Sequence, residues 1–427
     1  MLDIKFIREN LEIVKLAATK KKIKVDLDRL VTVDDARKSV MTEMETKKAE
    51  QNRVSADVAT ATSEVRTQLI EQMQTLKASI QADEEKLKPL MDEWKALMLQ
   101  VPNIPDMSVP DGDSDADNLE VKVWNPDGST EAPAPKLFPM KDHVELMTAL
   151  KMVDFERGVK VHGFRGYFLT GDGARLSWAI WNYANDFFGQ KGFEQLLGPT
   201  IVRKSNLYGT GHLPNDAEDV YKTQDDDYLI GTSEVSTMGF YADEVLEQSQ
   251  FPIKHLAFSP CYRREAGSHG KDTRGLIRVH EFFKVEQVVL CEASHEESVR
   301  LHEEINRNTE EFIESLGIPY HTVLNCGGDI GQGQVKKYDI ELWVPGEKTY
   351  REISSASYFH DFQTRRFNIR YKDADGVMRY AHSLNCTAIP TPRILVSLVE
   401  NFQQADGTIA IPPVLQTYFG KAVIGSK

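Results

Sequence analysis

From Leu27 to Gln100 the chain contains no glycine and one proline, Pro89. Glycine and proline are the residues that interrupt helices, so a run of this length without them commits the segment to long helix. Its seam positions repeat. Val40, Met44, Lys47, Gln51, Val54, Val58, Ala61 and Val65 step alternately by four and three, and Met73, Leu76, Ile80, Asp83, Leu87, Leu90, Trp94 and Leu97 do the same. Such a heptad pattern lays one stripe against a partner helix. Between the two series, Val65, Leu69 and Met73 step by four and four. The phase slip there fits either a stutter in one continuous helix or two helices folded back as an antiparallel hairpin. Arg66, Thr67 and Gln68 are poor turn residues and leave both open. A plain dimerising coiled coil and an arm carrying a binding surface are the two readings of the segment.

Residues 1 to 24 read as a short helix, with Asp3 as N-cap and Ile4, Ile7, Leu11 and Val14 at helical spacing. The basic run Lys20-Lys21-Lys22 and Lys24 is expected to be a solvated helix end. Residues 101 to 118 hold three prolines, a glycine and five aspartates, which marks a linker. The expected division is therefore an arm over 1–105, a linker over 106–118 and a second domain over 119–427.

In the second domain Leu119 to Trp124 reads as a strand. Helices are expected over Asp142 to Phe155, Gly173 to Gly189, and Ser294 to Leu316, the last with Ser294 and Glu297 as a capping box and Gly317 as its stop. Strands are expected around Tyr228 to Ile230, Leu256 to Tyr262, Phe282 to Cys291, Tyr338 to Trp343 and Thr364 to Tyr371. This mixed order points to an α+β fold on a mainly antiparallel sheet flanked by helices. Neither GxGxxG nor GxxxxGK[ST] occurs, so no dinucleotide fold or P-loop is indicated.

At 427 residues, two domains are the natural expectation. Hydrophobic content of 41% and charged content of 27% suit a soluble globular chain. No apolar run has the length of a membrane span, and Met1-Leu2-Asp3-Ile4-Lys5 lacks the regions of a signal peptide, so a cytoplasmic protein is expected. Cys261, Cys291, Cys326 and Cys386 are scattered, which argues against a disulfide framework or a cysteine zinc site. The net charge of −14 does not advertise a nucleic-acid binder, yet residues 1 to 105 balance 18 basic against 18 acidic side chains, so the whole deficit lies beyond them.

The stretch from Pro260 to Gln287 reads as two extended segments joined by a glycine-rich basic loop. Alternation in strands puts Arg263 and Glu265 on one face, and His280, Phe282, Lys284 and Glu286 on one face of the return segment. A guanidinium suits phosphate and a ring suits a nucleobase, so an ATP site is one reading and a solvated sheet face the other.

With these pieces in place, the chain resembles the seryl-tRNA synthetase family of class II aminoacyl-tRNA synthetases over essentially its whole length, from MLDIKFIREN to ENFQQADGTIAIPPVLQTYFG. The three class II motifs resemble Lys191-Gly192-Phe193 through Gly198-Pro199, the Pro260 to Gln287 stretch with its Gly267-Ser268-His269-Gly270-Lys271-Asp272-Thr273-Arg274-Gly275 loop, and the segment around Arg393. Between them stand seryl-type markers: Gly209-Thr210-Gly211-His212-Leu213-Pro214, Gly231-Thr232-Ser233-Glu234, Glu352-Ile353-Ser354-Ser355 and His382-Ser383-Leu384-Asn385.

The resemblance implies an ATP-dependent ligase that joins L-serine to serine tRNA, and to selenocysteine tRNA where an organism has it. It implies Arg263 and Arg393 as catalytic residues, Arg263 on the α-phosphate and Arg393 toward the γ-phosphate and over the adenine. Phe282 would stack on the other adenine face and Glu265 would accept from its amino group, with Arg264, Val279, Ile353 and Ser354 also at the ATP. Glu352 and Ser355 would hold Mg2+. Glu286 would receive the serine hydroxyl or amino group, with Thr232, Ser233, Glu234, Asn385 and Thr387 completing the pocket. The segment from the first motif would form a homodimer interface, and the helical hairpin would reach the long variable arm of a tRNA.

Two departures stand out. Cys386-Thr387 replaces the Gly-Ser usual after the asparagine, adding a methyl to a small pocket. Pro390 and Pro392 replace glycines before Arg393 and are expected to shift the start of the helix there. A relative that loads a non-tRNA carrier and an inactive coiled-coil scaffold are the alternatives to the ligase reading.

Overall fold

The computed structural model describes residues 1–268 and 270–425. His269, in the basic loop, and Ser426 and Lys427, at the end of the second domain, lie outside the described residues. The chain divides into two compact units, Met1–Ile104 and the remainder from Pro105 onward.

In the first unit the glycine-free run forms two helices, Leu27–Thr60 and Ser63–Gln100, packed along each other as a hairpin. The chain reverses at Ala61 and Thr62, both extended, ahead of the phase slip. Neither residue needs a positive φ, so the turn requires no glycine. The N-terminal segment is two helices rather than one, Ile4–Glu9, capped by the Asp3 side chain, and Leu11–Lys20, with Asn10 between them. Ile7 and Val14 bury against Leu27, Leu30, Met98 and Val101. Within the basic run Lys21 is buried rather than solvated, and burial pushes its ammonium group well below its ordinary range.

The second unit is built on an eight-stranded sheet. Its order is Leu119–Trp124, Tyr320–Leu324, Lys336–Val344, Thr349–His360, His382–Thr391, Glu281–Cys291, Ile253–Tyr262 and Glu194–Leu196. All neighbours run antiparallel except the last pair. One face is covered by His295–Leu316, whose stripe of Leu301, Ile305, Phe312, Ile313 and Leu316 joins the main core. That helix begins where Ser294 accepts from Glu297 N and ends at Gly317 with φ +72. Gly171–Gln190, Arg393–Phe402 and Pro413–Phe419 contribute to the same core.

Two sequence expectations are corrected. Asp142 to Phe155 is the helix His143–Ala149, a short strand Val153–Asp154, and then a second helix from Phe155 to His162. Thr364 to Tyr371 is not a strand. Phe362–Phe367 is a helix, stopped by Asn368 in the left-handed region at φ +56, and only Arg370–Lys372 is extended. Among the described residues no helix is long and apolar enough to cross a membrane.

Candidate active site

Alternation along Glu281–Cys291 sorts its side chains between two environments. Val285, Val289 and Cys291 join the main core, and Gln287 donates to Ile305 O and Thr309 Oγ1, both at 3.0 Å, beneath the long helix. Lys284 and Glu286 point the other way, and both are buried. The antiparallel register then sets Thr387 beside Glu286, and Asn385 beside Ser357. A polar floor thus runs across three central strands.

Two cavities share this floor. The larger is lined by Thr232, Glu234, Glu286, Ser355, Asn385 and Thr387 among others. The smaller is lined by Glu265, Val279, Phe282, Ile353 and Arg393 among others. Arg263, Lys284, Glu352 and Thr387 line both, so these are two lobes of one cleft.

In the larger lobe the Thr387 hydroxyl donates to Glu286 Oε2 at 3.0 Å, and Lys284 Nζ stands 3.4 Å from the same oxygen. The threonine therefore orients the carboxylate. Cys386 faces the core, with its Sγ 3.4 Å from the hydroxyls of Thr309 and Ser354. Glu234 accepts from Gln363 Nε2 at 2.6 Å. Burial raises its carboxyl to about 7, the Gln363 bond opposing and the Glu286 charge adding to the rise.

In the smaller lobe the Arg263 guanidinium lies 5.5 Å from the Phe282 ring centre. Arg393 opens its helix directly after Pro392, so the prolines leave the helix start at the arginine itself. Its Nε donates to Ile277 O at 2.9 Å and its Nη1 to Glu352 O at 2.8 Å.

The expectation that Arg263 and Glu265 share a strand face is corrected: the strand ends at Tyr262, and Glu265 is left-handed at φ +48. Its side chain is positioned instead by Arg278 Nη1 at 2.7 Å. Burial pushes the Glu265 carboxyl up, but the Arg278 bond and charge, with Arg263, hold it below the usual range.

Arg264, Ser233 and Ser354 are not brought into the cleft. Arg264 donates to Glu218 O at 3.1 Å and lines a different pocket with Tyr208 and Tyr221. Ser233 pairs with Ser259 Oγ at 2.8 Å, and Ser354 donates to Thr387 O at 2.5 Å, both buried behind the floor. The cleft also holds residues not singled out as site residues from the sequence: Lys284, His212 and Gln332 to Gln334. Burial, followed by the Arg263 and Lys284 charges, pushes His212 down to about 4, leaving a neutral ring beside Thr210 Oγ1 at 2.8 Å. His212 stood in a quoted seryl-type marker and Lys284 shared the alternating face of Phe282 and Glu286, whereas the glycine-rich turn of Gly331-Gln332-Gly333-Gln334 was the available signal for Gln332 to Gln334.

Comparison with known proteins gives the same picture. Residues 1–105 match the seryl-tRNA synthetase N-terminal domain, and residues 220–402 match the tRNA synthetase class II core domain (G, H, P, S and T). A serine–tRNA ligase of Deinococcus radiodurans is 43% identical over 427 residues, covering 100% of this chain and 99% of that one. The crystal structure of seryl-tRNA synthetase from Pyrococcus horikoshii complexed with ATP superposes with a TM-score of 0.89 at 37% identity, covering 99% of each chain. That of the cytoplasmic serine–tRNA ligase from Naegleria fowleri in complex with AMP gives 0.85 at 30% identity, over 99% of this chain and 98% of the other. With the polar floor, the two-lobed cleft and the helical hairpin in one chain, matched end to end by these relatives, the chain belongs to the seryl-tRNA synthetase family.

Proposed function

We propose that this chain activates L-serine with ATP and transfers the seryl group to serine tRNA. The observation that carries the reading is the buried Glu286 carboxylate, held by Thr387 in a lobe that shares its wall with the Arg263, Phe282 and Arg393 lobe. Serine sits in the larger lobe with its hydroxyl or ammonium group on Glu286 and with Thr232, Glu234 and Asn385 around it. ATP sits in the smaller lobe, its adenine between Phe282 and Arg393 and its amino group toward Glu265. The serine carboxylate attacks the α-phosphorus, pyrophosphate leaves, and Arg263 stabilises the charge that develops there. The terminal 3'-hydroxyl of the tRNA then attacks the seryl carbonyl and AMP leaves.

Magnesium belongs to the same proposal. Glu352 faces both lobes and Ser355 the larger one, an oxygen donor pair suited to a hard cation that takes its remaining ligands from phosphate and water. Among the described residues no group of three or more His, Cys, Asp or Glu is placed to hold a metal ion. When bound, Mg2+ would neutralise phosphate charge.

Residues 1–105 serve as the tRNA-binding arm, and 119–427 as the catalytic domain. The 106–118 connection is tied to the second unit by the Tyr358 hydroxyl donating to Asp106 at 2.9 Å. A second copy covers the apolar side chains near the first motif, where Trp178 is 60% and Leu197 79% exposed, giving a homodimer that works in the cytoplasm.

The test is serine-dependent ATP–pyrophosphate exchange beside charging of serine tRNA. It is run with the full chain and with a version lacking residues 49–82, which keeps the Leu27, Leu30 and Met98 core at the base of the hairpin. Exchange is expected to survive the deletion while charging collapses. Exchange driven by another amino acid, or absent from the full chain, overturns the reading. Exchange without charging in the full chain favours a non-tRNA carrier.

A further inference from the structure

No part in the reaction as described falls to His143, although it is buried between two elements of the cleft. Glu400 lies on the Arg393–Phe402 helix, two turns beyond Arg393, and is wholly buried. One of its oxygens accepts from Gly346 N at 2.8 Å. The other accepts from the His143 backbone N at 2.8 Å and is 2.9 Å from ring Nδ1. The remaining ring nitrogen, Nε2, accepts from Leu276 N at 3.3 Å. A ring nitrogen that accepts an amide proton carries none itself, which fixes the tautomer: Nδ1–H toward Glu400 and bare Nε2 toward Leu276.

The carbonyl of the next residue, Ile277, is the one that accepts from Arg393 Nε at 2.9 Å. One helix therefore holds the Leu276–Ile277 stretch at two points, directly through Arg393 and indirectly through Glu400 and His143. The preceding Gly275 has φ +84, and a Cβ there would stand 2.1 Å from His143 Nε2. The close approach of ring and backbone is thus possible only with glycine at that position. Leu276 and Ile277 themselves line the smaller lobe.

We propose that His143 is a positioning residue for nucleotide binding. By holding Leu276 it sets the Ile277 carbonyl, and that carbonyl sets the plane of the Arg393 guanidinium. The inference rests on the reading that the smaller lobe takes ATP.

The substitutions His143→Asn and His143→Gln separate the two bonds. The asparagine amide donates toward Glu400 as Nδ1 does and offers nothing to Leu276, whereas the glutamine amide oxygen reaches toward Leu276 as Nε2 does. In serine-dependent exchange, His143→Asn is expected to raise the KM for ATP by about tenfold while the KM for serine and the melting temperature stay close to those of the natural chain. His143→Gln is expected to restore most of the ATP KM. In an Arg393→Lys background the His143→Asn effect on ATP should shrink to about twofold, because the group it positions is gone.

An unchanged ATP KM in His143→Asn, a parallel rise in the serine KM, or an effect of equal size with and without Arg393 overturns the inference. If the natural chain shows no serine-dependent exchange, the functional reading fails instead. Equilibrium binding of ATP to the natural chain and to His143→Asn then decides the inference alone.

Discussion

Lys47 Nζ lies 2.6 Å from Asp83 Oδ2 across the helical hairpin, with the carboxylate almost fully enclosed and the lysine side chain 30% exposed. Both are seam positions in otherwise mainly apolar series, so the pair fits only one alignment of the two helices. Asp83→Ala leaves the lysine at the seam without this partner. It is expected to weaken the hairpin by about 2 kcal/mol, read as faster amide exchange in Leu27–Thr60 and Ser63–Gln100. A Lys47→Met, Asp83→Leu double variant should recover the protection but charge tRNA poorly if the alignment slips. Full charging by the double variant would show that the pair has no role in alignment.

Thr387→Val keeps the shape of the side chain and removes the donor that holds Glu286 at 3.0 Å. A buried acceptor losing one bond costs about 1–3 kcal/mol, so the serine kcat/KM is expected to fall by about 10- to 100-fold. Thr387→Ser keeps the donor and deletes the methyl. It should retain serine activation and admit threonine more readily, measured by exchange with each amino acid. Glu286→Ala should lose the preference for serine over alanine in the same assay.

Glu234 supplies a pH dependence. Its carboxyl, raised to about 7 by burial and the Glu286 charge against the Gln363 bond, holds a proton in the folded chain where an unfolded glutamate has none. Stability from this group is fully present below the ordinary carboxyl range and is lost as pH rises through about 7. Glu234→Gln should therefore flatten the fall in melting temperature between about pH 5 and 8. The same ionisation should lower the KM for serine as pH rises through that window, and the glutamine variant should lack the trend.

Glu352→Gln keeps the side-chain size and removes the charge shared by both lobes. The Mg2+ concentration for half-maximal exchange is expected to rise by about tenfold or more, with the serine KM little changed. Mn2+ binding in the presence of ATP, followed by its paramagnetic signal, should weaken in parallel.

Much of the fold was legible because long elements announce themselves: the glycine-free run, the Ser294 cap with Gly317, and the alternation of Glu281–Cys291. What stayed hidden has local causes. The hairpin turn at Ala61 and Thr62 uses ordinary extended backbone, so no turn residue marks it. Asn368 and Glu265 take left-handed conformations that their neighbours do not signal; the first ends a helix inside the stretch expected to be a strand, and the second lifts Glu265 off the strand face. The meeting of Thr232, Glu286, Glu352 and Arg393 depends on sheet order across more than 150 residues, and only the family resemblance suggested it. His143 carried no such cue, because its meaning comes from Leu276 and Glu400, which are far away in sequence.

The polar floor and the lobe beside it are made of different material. Glu286, Asn385 and Thr387 belong to central strands with a paired strand on either side, whereas Glu265 and Arg278 belong to the connection between two strands. Backbone paired on both sides opens only when the domain itself comes apart, whereas a connection can rearrange within the native state. On the proposed reading, serine choice at Glu286, Asn385 and Thr387 is thus built into the slowest-opening region of the second unit, and the Glu265 end of the nucleotide lobe into a segment freer to move. Heat or denaturant should erode nucleotide handling first, and a partly loosened enzyme would still know its amino acid after it had begun to lose its grip on ATP.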